Sequence, residues 1–420
     1  MIAADGASRR LETARNIILL LGDGMGHAHR LAGQLLLRGR NGRLAMDDLP
    51  AAGLMNTVSG DHLHFVTDSA AAATALATGV KTGNGTVAMD LAGRRLPTIL
   101  ELAKRAGKSV GLVTTCQITD ATPAAFGAHV PNRVDQSEIA RQYLEESEVD
   151  VLLGGGAAYW RPAGTDPLFP PTPTEPRELS QGTAGDLIAL ARRRGYTFVQ
   201  SASELAAIVA AGPTAGERVL GLFANQELFQ QRTDGGPDAY LPSVTVAELT
   251  DAAIQLLAPN PNGFFLMVEE SAVDRMAHRN NAALTLKAVL ELDRAVQVAL
   301  AWAEADRETL VIVTADHECG GLAIAGSDDP PYPYEPGGGL FETVIAGEDG
   351  PFPVAGEEQG FVMGWATTGH TAAAVPVTAT GPSAARFAGA YENTYPFTVM
   401  AEALGLARLR GPATNGRVHR

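Results

Sequence analysis

The stretch 16-NIILLLGDGMGH-27 decides the fold. Residues 17–21 are apolar without interruption, and the run stops at Gly22-Asp23-Gly24. Five such residues are too few for a buried helix. Bounded by glycine, they read as a strand covered on both faces, the pattern of a parallel sheet under helices. The same pattern recurs at 110–115, 149–153, 219–223, 264–268 and 310–314. Between these runs lie amphipathic stretches at 95–105, 134–146, 184–194, 244–257 and 282–305. Strand and helix in alternation define an α/β fold, with a mostly parallel central sheet and helices on both faces.

At 420 residues the chain exceeds the usual size of one core, yet α/β folds often run this long as single units. No internal repeat divides it, so 1–420 reads as one domain. Two stretches break the rhythm. Residues 161–176 are rich in proline, and 326–360 are rich in glycine, proline and acidic residues. Both read as surface insertions. The second forms a lid, an interface or an ordinary long loop.

Composition excludes several classes. A formal net charge of -15 argues against a nucleic-acid partner, which demands a basic face. It leaves anionic substrates open, because bound metal cations invert a local field. No run of about 18 apolar residues exists, so no membrane-spanning helix is expected. The first sixteen residues contain no apolar stretch of secretory type. The two cysteines, Cys116 at the end of an apolar run and Cys319 after an Asp-His pair, are too few for a disulfide framework and read as free structural thiols.

Ligands of open α/β sheets gather beyond the carboxyl ends of the strands. Here the first strand ends at Asp23, and the run at 110–115 leads to Asp120-Ala121-Thr122. The run at 264–268 ends at Glu269, and that at 310–314 leads to Asp316-His317. Three of the nine histidines stand out by context. His278 follows Asp274 by four residues, so a loop leading into a turn would face both toward one centre. His317 adjoins Asp316, and His370 sits in the uncharged turn 367-TTGHT-371. A lone histidine is more often a surface or core residue, but imidazoles grouped with carboxylates suit zinc.

A further stretch, 67-TDSAAAATALATG-79, is strongly helical. Thr67 or Asp68 caps it and Gly79 ends it. Ser69 then lies in the first turn, where free N–H groups and the helix dipole favour an anion. From this segment alone, the plainer reading is a capped helix with a bystander serine.

Six segments together resemble alkaline phosphatases: 21-LGDGMG-26, 67-TDSAA-71, 120-DATPAA-125 with His129 and Arg133, residues 269–278, 314-TADHE-318 and 368-TGHT-371. They follow the order of that family. The resemblance implies a phosphate monoesterase that forms a phosphoserine at Ser69 with two zinc ions and one magnesium. It implies Asp274, His278 and His370 as ligands of the first zinc. Asp23, Asp316 and His317 would bind the second, which also contacts Ser69. Asp23, Thr122 and Glu269 form an all-oxygen set suited to magnesium. Arg133 would grip two phosphate oxygens with its planar fork, and Asp120 would act from behind these groups. The resemblance also implies small phosphate monoesters as substrates, a homodimer and a periplasmic or extracellular location, with no membrane partner.

Some positions depart from familiar members. Arg275 contacts phosphate through water, pairs with Asp120 or is a plain surface arginine. Glu270 stands where many members have glycine, and His129 reads as structural. A phosphodiesterase on the same scaffold is the nearest rival. A non-catalytic metal- or phosphate-binding protein is a remote one, since Ser69 and Arg133 are both present.

Overall fold

The computed structural model describes residues 12–171, 176–229, 239–327 and 349–406. Ten strands form the main sheet: β1 (Asn16–Gly22), β2 (Ala51–Asn56), β3 (Ser109–Gln117), β4 (Val151–Gly155), β5 (Tyr196–Val199), β6 (Arg218–Leu222), β7 (Phe264–Glu270) and β8 (Thr309–Thr314), with β14 (Val375–Thr380) and β15 (Gly389–Glu392). Between β8 and β14 run β9 (Glu318–Cys319), β10 (Leu322–Gly326), β11 (Asp349–Pro353), β12 (Gly360–Trp365) and β13 (His370–Thr371). The helices are α1 (His27–Arg38), α2 (Ser69–Thr78), α3 (Ile99–Arg105), α4 (Ala121–Gly127), α5 (Gln136–Glu145), α6 (Leu187–Arg193), α7 (Ala202–Ala210), α8 (Val246–Leu257), α9 (Ala272–Ala277), α10 (Ala282–Asp306) and α11 (Tyr395–Ala403).

The strand order is β15-β2-β14-β8-β1-β7-β3-β4-β6-β5. β1 lies inside the sheet, parallel to β7 on one side and β8 on the other, and every one of its residues is buried. That placement is what an uninterrupted apolar run requires. Nine strands share one direction and β14 opposes them. The reason is topological: the chain passes His370 at the carboxyl edge of the sheet and can enter β14 only from that edge. All six runs read from the sequence are strands of this sheet. β2, β5, β14 and β15 are additional. β2 and β15 leave much of their surface to solvent, so neither carries a continuous apolar signal.

Helix starts fall later than periodicity suggests. Residues 95–98 precede α3, which begins after Thr98; the Thr98 side chain accepts from the Glu101 amide while Glu101 accepts from the Thr98 amide. Thr245 and Glu248 form the same reciprocal pair ahead of α8. Such caps satisfy orphan amides and set the first turn more sharply than hydrophobic spacing does.

The loop-rich reading of 326–360 needs correction at its ends. β10, β12 and β11 form a three-stranded antiparallel sheet that carries Phe361 and Trp365 onto a second apolar cluster with Ala32 and Leu286. Residues 328–348, and with them most of the suggested lid or interface, lie outside the described residues. The described part of 161–176 is turns and bends, tied down by a bridge from Pro162 to Gly182. Residues 172–175 and the first eleven residues also lie outside the description. Among the described residues, no helix is long and apolar enough to cross a membrane.

Candidate active site

The carboxylates expected at one edge of the sheet leave four neighbouring strands, β8, β1, β7 and β3. Register places them level: Leu21 stands opposite both Glu269 and Thr314, and Glu269 stands opposite Thr114. Asp23 and Asp316, just beyond their strand ends, therefore arrive beside Glu269. The turn after β1 holds the first of them. Gly24 has φ +69°, and its amide donates to Asp316 Oδ1 at 3.1 Å. A Cβ on Gly24 would lie 2.9 Å from Asp274 Oδ1 and from Cys319 Cβ, so glycine is required for both conformation and space.

Asp274 does not sit on a loop, as its sequence context suggested. It lies on the short helix α9, with His278 at that helix's C-terminal cap. One helical turn separates them and sets both on one face. His278 Nε2 is 3.2 Å from Asp274 Oδ2 and 3.1 Å from His370 Nε2. The Nδ1 atoms face backbone carbonyls: His278 donates to Thr368 at 2.6 Å and His370 to Thr67 at 2.9 Å. A ring held this way directs Nε2 into the cluster, the arrangement seen for metal-ligating histidines. The His317 ring stacks on that of His370 with centroids 3.6 Å apart. His317 Nε2 is 3.1 Å from Asp316 Oδ2 and 3.5 Å from Asp23 Oδ1.

Ser69 is the first residue of α2, and its Oγ is 3.2 Å from His317 Nε2. The helix is buried throughout and packs on α4, a close approach that its alanines permit. Asp68 is the cap, accepting from the Ala71 amide at 3.0 Å. Its other oxygen accepts from Arg133 Nη1 at 3.2 Å, so the arginine is tethered next to the serine. Arg133 Nη2 donates to Asp120 Oδ1 at 2.9 Å, and Arg275 Nη2 donates to Asp120 Oδ2 at 2.7 Å. Arg275 is thus a partner of Asp120 and not a plain surface residue. Each Nη of Arg133 retains a second N–H beyond these contacts.

Charge crowding dominates the electrostatics. Burial pushes the Asp23 carboxyl well above its ordinary range, and Asp316, Asp274 and Glu269 push it further. Burial, with Asp120 and Asp316 nearby, raises Glu269 to about 8 against hydrogen bonds from Thr114 and Thr122. Burial would raise Asp274 too, but contacts with His278 and His370 hold it well below its usual value. Burial acts likewise on Asp120, and Arg133 and Arg275 overcome it and keep the carboxyl ionised. Among the described residues, several oxygens in this crowd accept no hydrogen bond: Asp23 Oδ1, Asp274 Oδ1 and Asp316 Oδ2, which face ring nitrogens of His317 and His370. Buried carboxylate oxygens in such a crowd of like charge suit a cation.

Every site residue named from the sequence lies in this region. Two groups of donor atoms fall within 4.8 Å of one another: Asp23, Asp274 and His317, and Asp274, His278, Cys319 and His370. Cys319, read from the sequence as a free thiol, falls in the second group. Glu318 was missed. It accepts from the amides of Gly321 and Leu322 and from the Thr371 hydroxyl, and so ties the His317 turn to the His370 turn. Glu270 finds its partners in Thr115, Tyr240 and the Ala272 amide, and burial raises its pKa to about 7. His129 spans Ala88 O and Glu101 Oε1, away from the cluster, as a structural residue does. Both cysteines are free and buried.

A fold of this topology, with grouped histidines and carboxylates beside a helix-terminal serine, matches known proteins closely. The family model for alkaline phosphatase matches residues 14–332. Streptomycin-6-phosphate phosphatase of Streptomyces griseus is 36% identical, over 97% of this chain and 95% of its own. Alkaline phosphatase of Escherichia coli is 33% identical, over 96% of this chain and 92% of its own. Among solved structures, alkaline phosphatase from the Antarctic bacterium TAB5 superposes with a TM-score of 0.72 at 28% identity, covering 94% of this chain and 99% of that one. The chain belongs to the alkaline phosphatase family.

Proposed function

We propose that this chain hydrolyses phosphate monoesters with Ser69 as nucleophile, in a site that holds two zinc ions and one magnesium. One observation carries the reading: Ser69 stands at a buried helix N-terminus 3.2 Å from His317, beside carboxylate oxygens that accept no hydrogen bond among the described residues. Asp274, His278 and His370 would hold the first zinc. Asp23, Asp316 and His317 would hold the second, beside Ser69. Asp23, Thr122 and Glu269 would hold magnesium, for which their all-oxygen set is suited. Bound there, the metals supply Lewis acidity toward the attacking and leaving oxygens.

The chain's own groups account for the rest. The Ser69 hydroxyl loses its proton as its oxygen bonds to phosphorus, the ester P–O bond breaks and the alcohol leaves protonated; water later cleaves the phosphoserine, releasing phosphate and restoring the hydroxyl. Free amides at the start of α2 face the charge on the transferring group. Arg133, positioned by Asp68 and Asp120, offers two parallel N–H groups to a dianionic phosphate. A diester lacks the second negative oxygen that this fork matches, so the monoester is favoured. Initial rates on p-nitrophenyl phosphate beside bis-p-nitrophenyl phosphate, with zinc and magnesium supplied, test the reading. A strong monoester preference is expected; a diester preference would transfer the protein to the sister class.

A further inference from the structure

Glu270 follows a proposed magnesium ligand along β7 and has no part in the chemistry above. Successive strand residues point to opposite faces of a sheet. β3 and β7 are matched residue by residue here. Thr114 stands opposite Glu269 and donates to its Oε2 at 2.5 Å, while Thr115 donates to Glu270 Oε1 at 2.8 Å. Glu269 thus reaches the site on one face, and Glu270 is buried on the other. There its Oε1 also accepts from the Ala272 amide at 3.0 Å, and its Oε2 accepts from the Tyr240 hydroxyl at 2.6 Å.

These contacts hold the stretch that joins Glu269 to Asp274. Thr115 Oγ1 accepts from the Ser271 amide at 3.0 Å, and the Glu270 carbonyl accepts from the Asp23 amide at 3.1 Å. Tyr240 is itself fixed. Lys287 of α10 donates to its carbonyl at 2.7 Å and stands 5.5 Å over its ring, and the Phe229 ring stacks with it at 6.3 Å. A buried carboxyl is costly to the fold, and an apolar side chain would fill the place at lower cost. What the carboxyl adds is orientation. Donors from β3, from the start of α9 and from Tyr240 converge on one side chain and fix the peptide that aims Glu269.

We propose that Glu270 and Tyr240 are positioning residues for the Asp23–Thr122–Glu269 site, clamping the end of β7 from the face opposite the metals. The inference rests on the magnesium reading above and deepens it by two residues. Magnesium demands near-ideal octahedral geometry, so a small displacement of Glu269 weakens it more than it weakens zinc. Loss of a supporting hydrogen bond behind a ligand typically lowers metal affinity roughly 10- to 100-fold.

The test is magnesium titration of the full-length chain with zinc already bound, followed by calorimetry, on wild type, Tyr240→Phe and Glu270→Gln. Tyr240→Phe removes one hydroxyl and leaves the ring packed. Its magnesium affinity should fall roughly 10-fold while its zinc affinity stays as in wild type. Hydrolysis of p-nitrophenyl phosphate should then need more magnesium, and saturating magnesium should restore kcat with KM unaltered. Glu270→Gln keeps the shape of the side chain and should show the same loss; should one variant misfold, the other decides. Wild-type magnesium affinity in the variants, or an equal loss of zinc and magnesium, would overturn the clamp and leave the metal sites standing. A zinc-loaded wild type that binds no magnesium would overturn the third site and the clamp with it.

Discussion

Ser69 and Arg133 owe their proposed roles to neighbours more than to type. A serine in the first turn of a helix is ordinary; one whose Oγ lies 3.2 Å from His317 at the edge of a carboxylate cluster has the surroundings that the proposed nucleophile needs. Ser69→Ala should lower turnover of p-nitrophenyl phosphate on the order of 10³-fold or more. Metal content, measured by elemental analysis, should stay as in wild type. Full turnover in that variant would remove Ser69 from the mechanism. Arg133 has each Nη engaged by a carboxylate, Asp68 on one side and Asp120 on the other, which fixes the plane of its fork. Lysine keeps the charge but cannot present two parallel donors. Arg133→Lys is expected to reduce kcat/KM roughly 10²-fold. An unchanged kcat/KM would mean that the arginine does not touch phosphate.

Elements decide where these residues point. The turn from β1 into α1 works only with glycine at 24, where φ is +69° and a Cβ would meet Asp274 and Cys319 at 2.9 Å. Gly24→Ala should destabilise the fold by more than about 1 kcal/mol. It should also weaken zinc binding, read by competition with a chromophoric chelator. Wild-type affinity would show that the turn tolerates a side chain. Caps matter in the same way. Thr98 holds the start of α3 and also donates to the Phe126 carbonyl at 2.6 Å at the end of α4. Thr98→Ala should cost about 1 kcal/mol, seen as a lower urea midpoint. Helix bodies were legible from spacing, whereas their first residues were set by these side chain–backbone pairs. Edge strands such as β15 escaped notice because little of their surface is buried.

At the scale of the whole molecule, the buried charges link stability to metal and pH. Glu269 ordinarily titrates near 4.5 and, in the folded chain without metal, near 8. Between those values the folded state keeps a proton that the unfolded state has lost, so stability falls as pH rises. Asp23, also raised, acts in the same sense. His278 and His370 add to the fall above 6.5: Asp274 raises His278 against burial, and for His370 the larger effect of burial is overcome by Asp274, the Thr67 carbonyl and Asp316 together. The Tm of the metal-free chain should therefore drop across this window, and zinc with magnesium should restore it by mass action. A metal-free Tm that is flat or rises from about pH 5 to about pH 8 would contradict the buried, protonated carboxylates. Exhaustive EDTA treatment should abolish phosphatase activity; activity that survives it would contradict the metal assignment.

Apolar runs, their lengths and the acidic residues at their ends are local properties, so the sequence by itself determined the α/β class and the edge where the site forms. Six ordered motifs likewise marked Ser69, Arg133 and the carboxylate and histidine groups. Other features depend on pairings between residues far apart in the chain, and only the tertiary structure decided them. The order β8-β1-β7-β3, the reversed direction of β14 and the pairing of Cys319 with His370 are of this kind. So is the binding of Asp120 to both Arg133 and Arg275. Such contacts arise from strand register and turn geometry, which short-range periodicity does not encode, and they turn a set of plausible ligands into one centre.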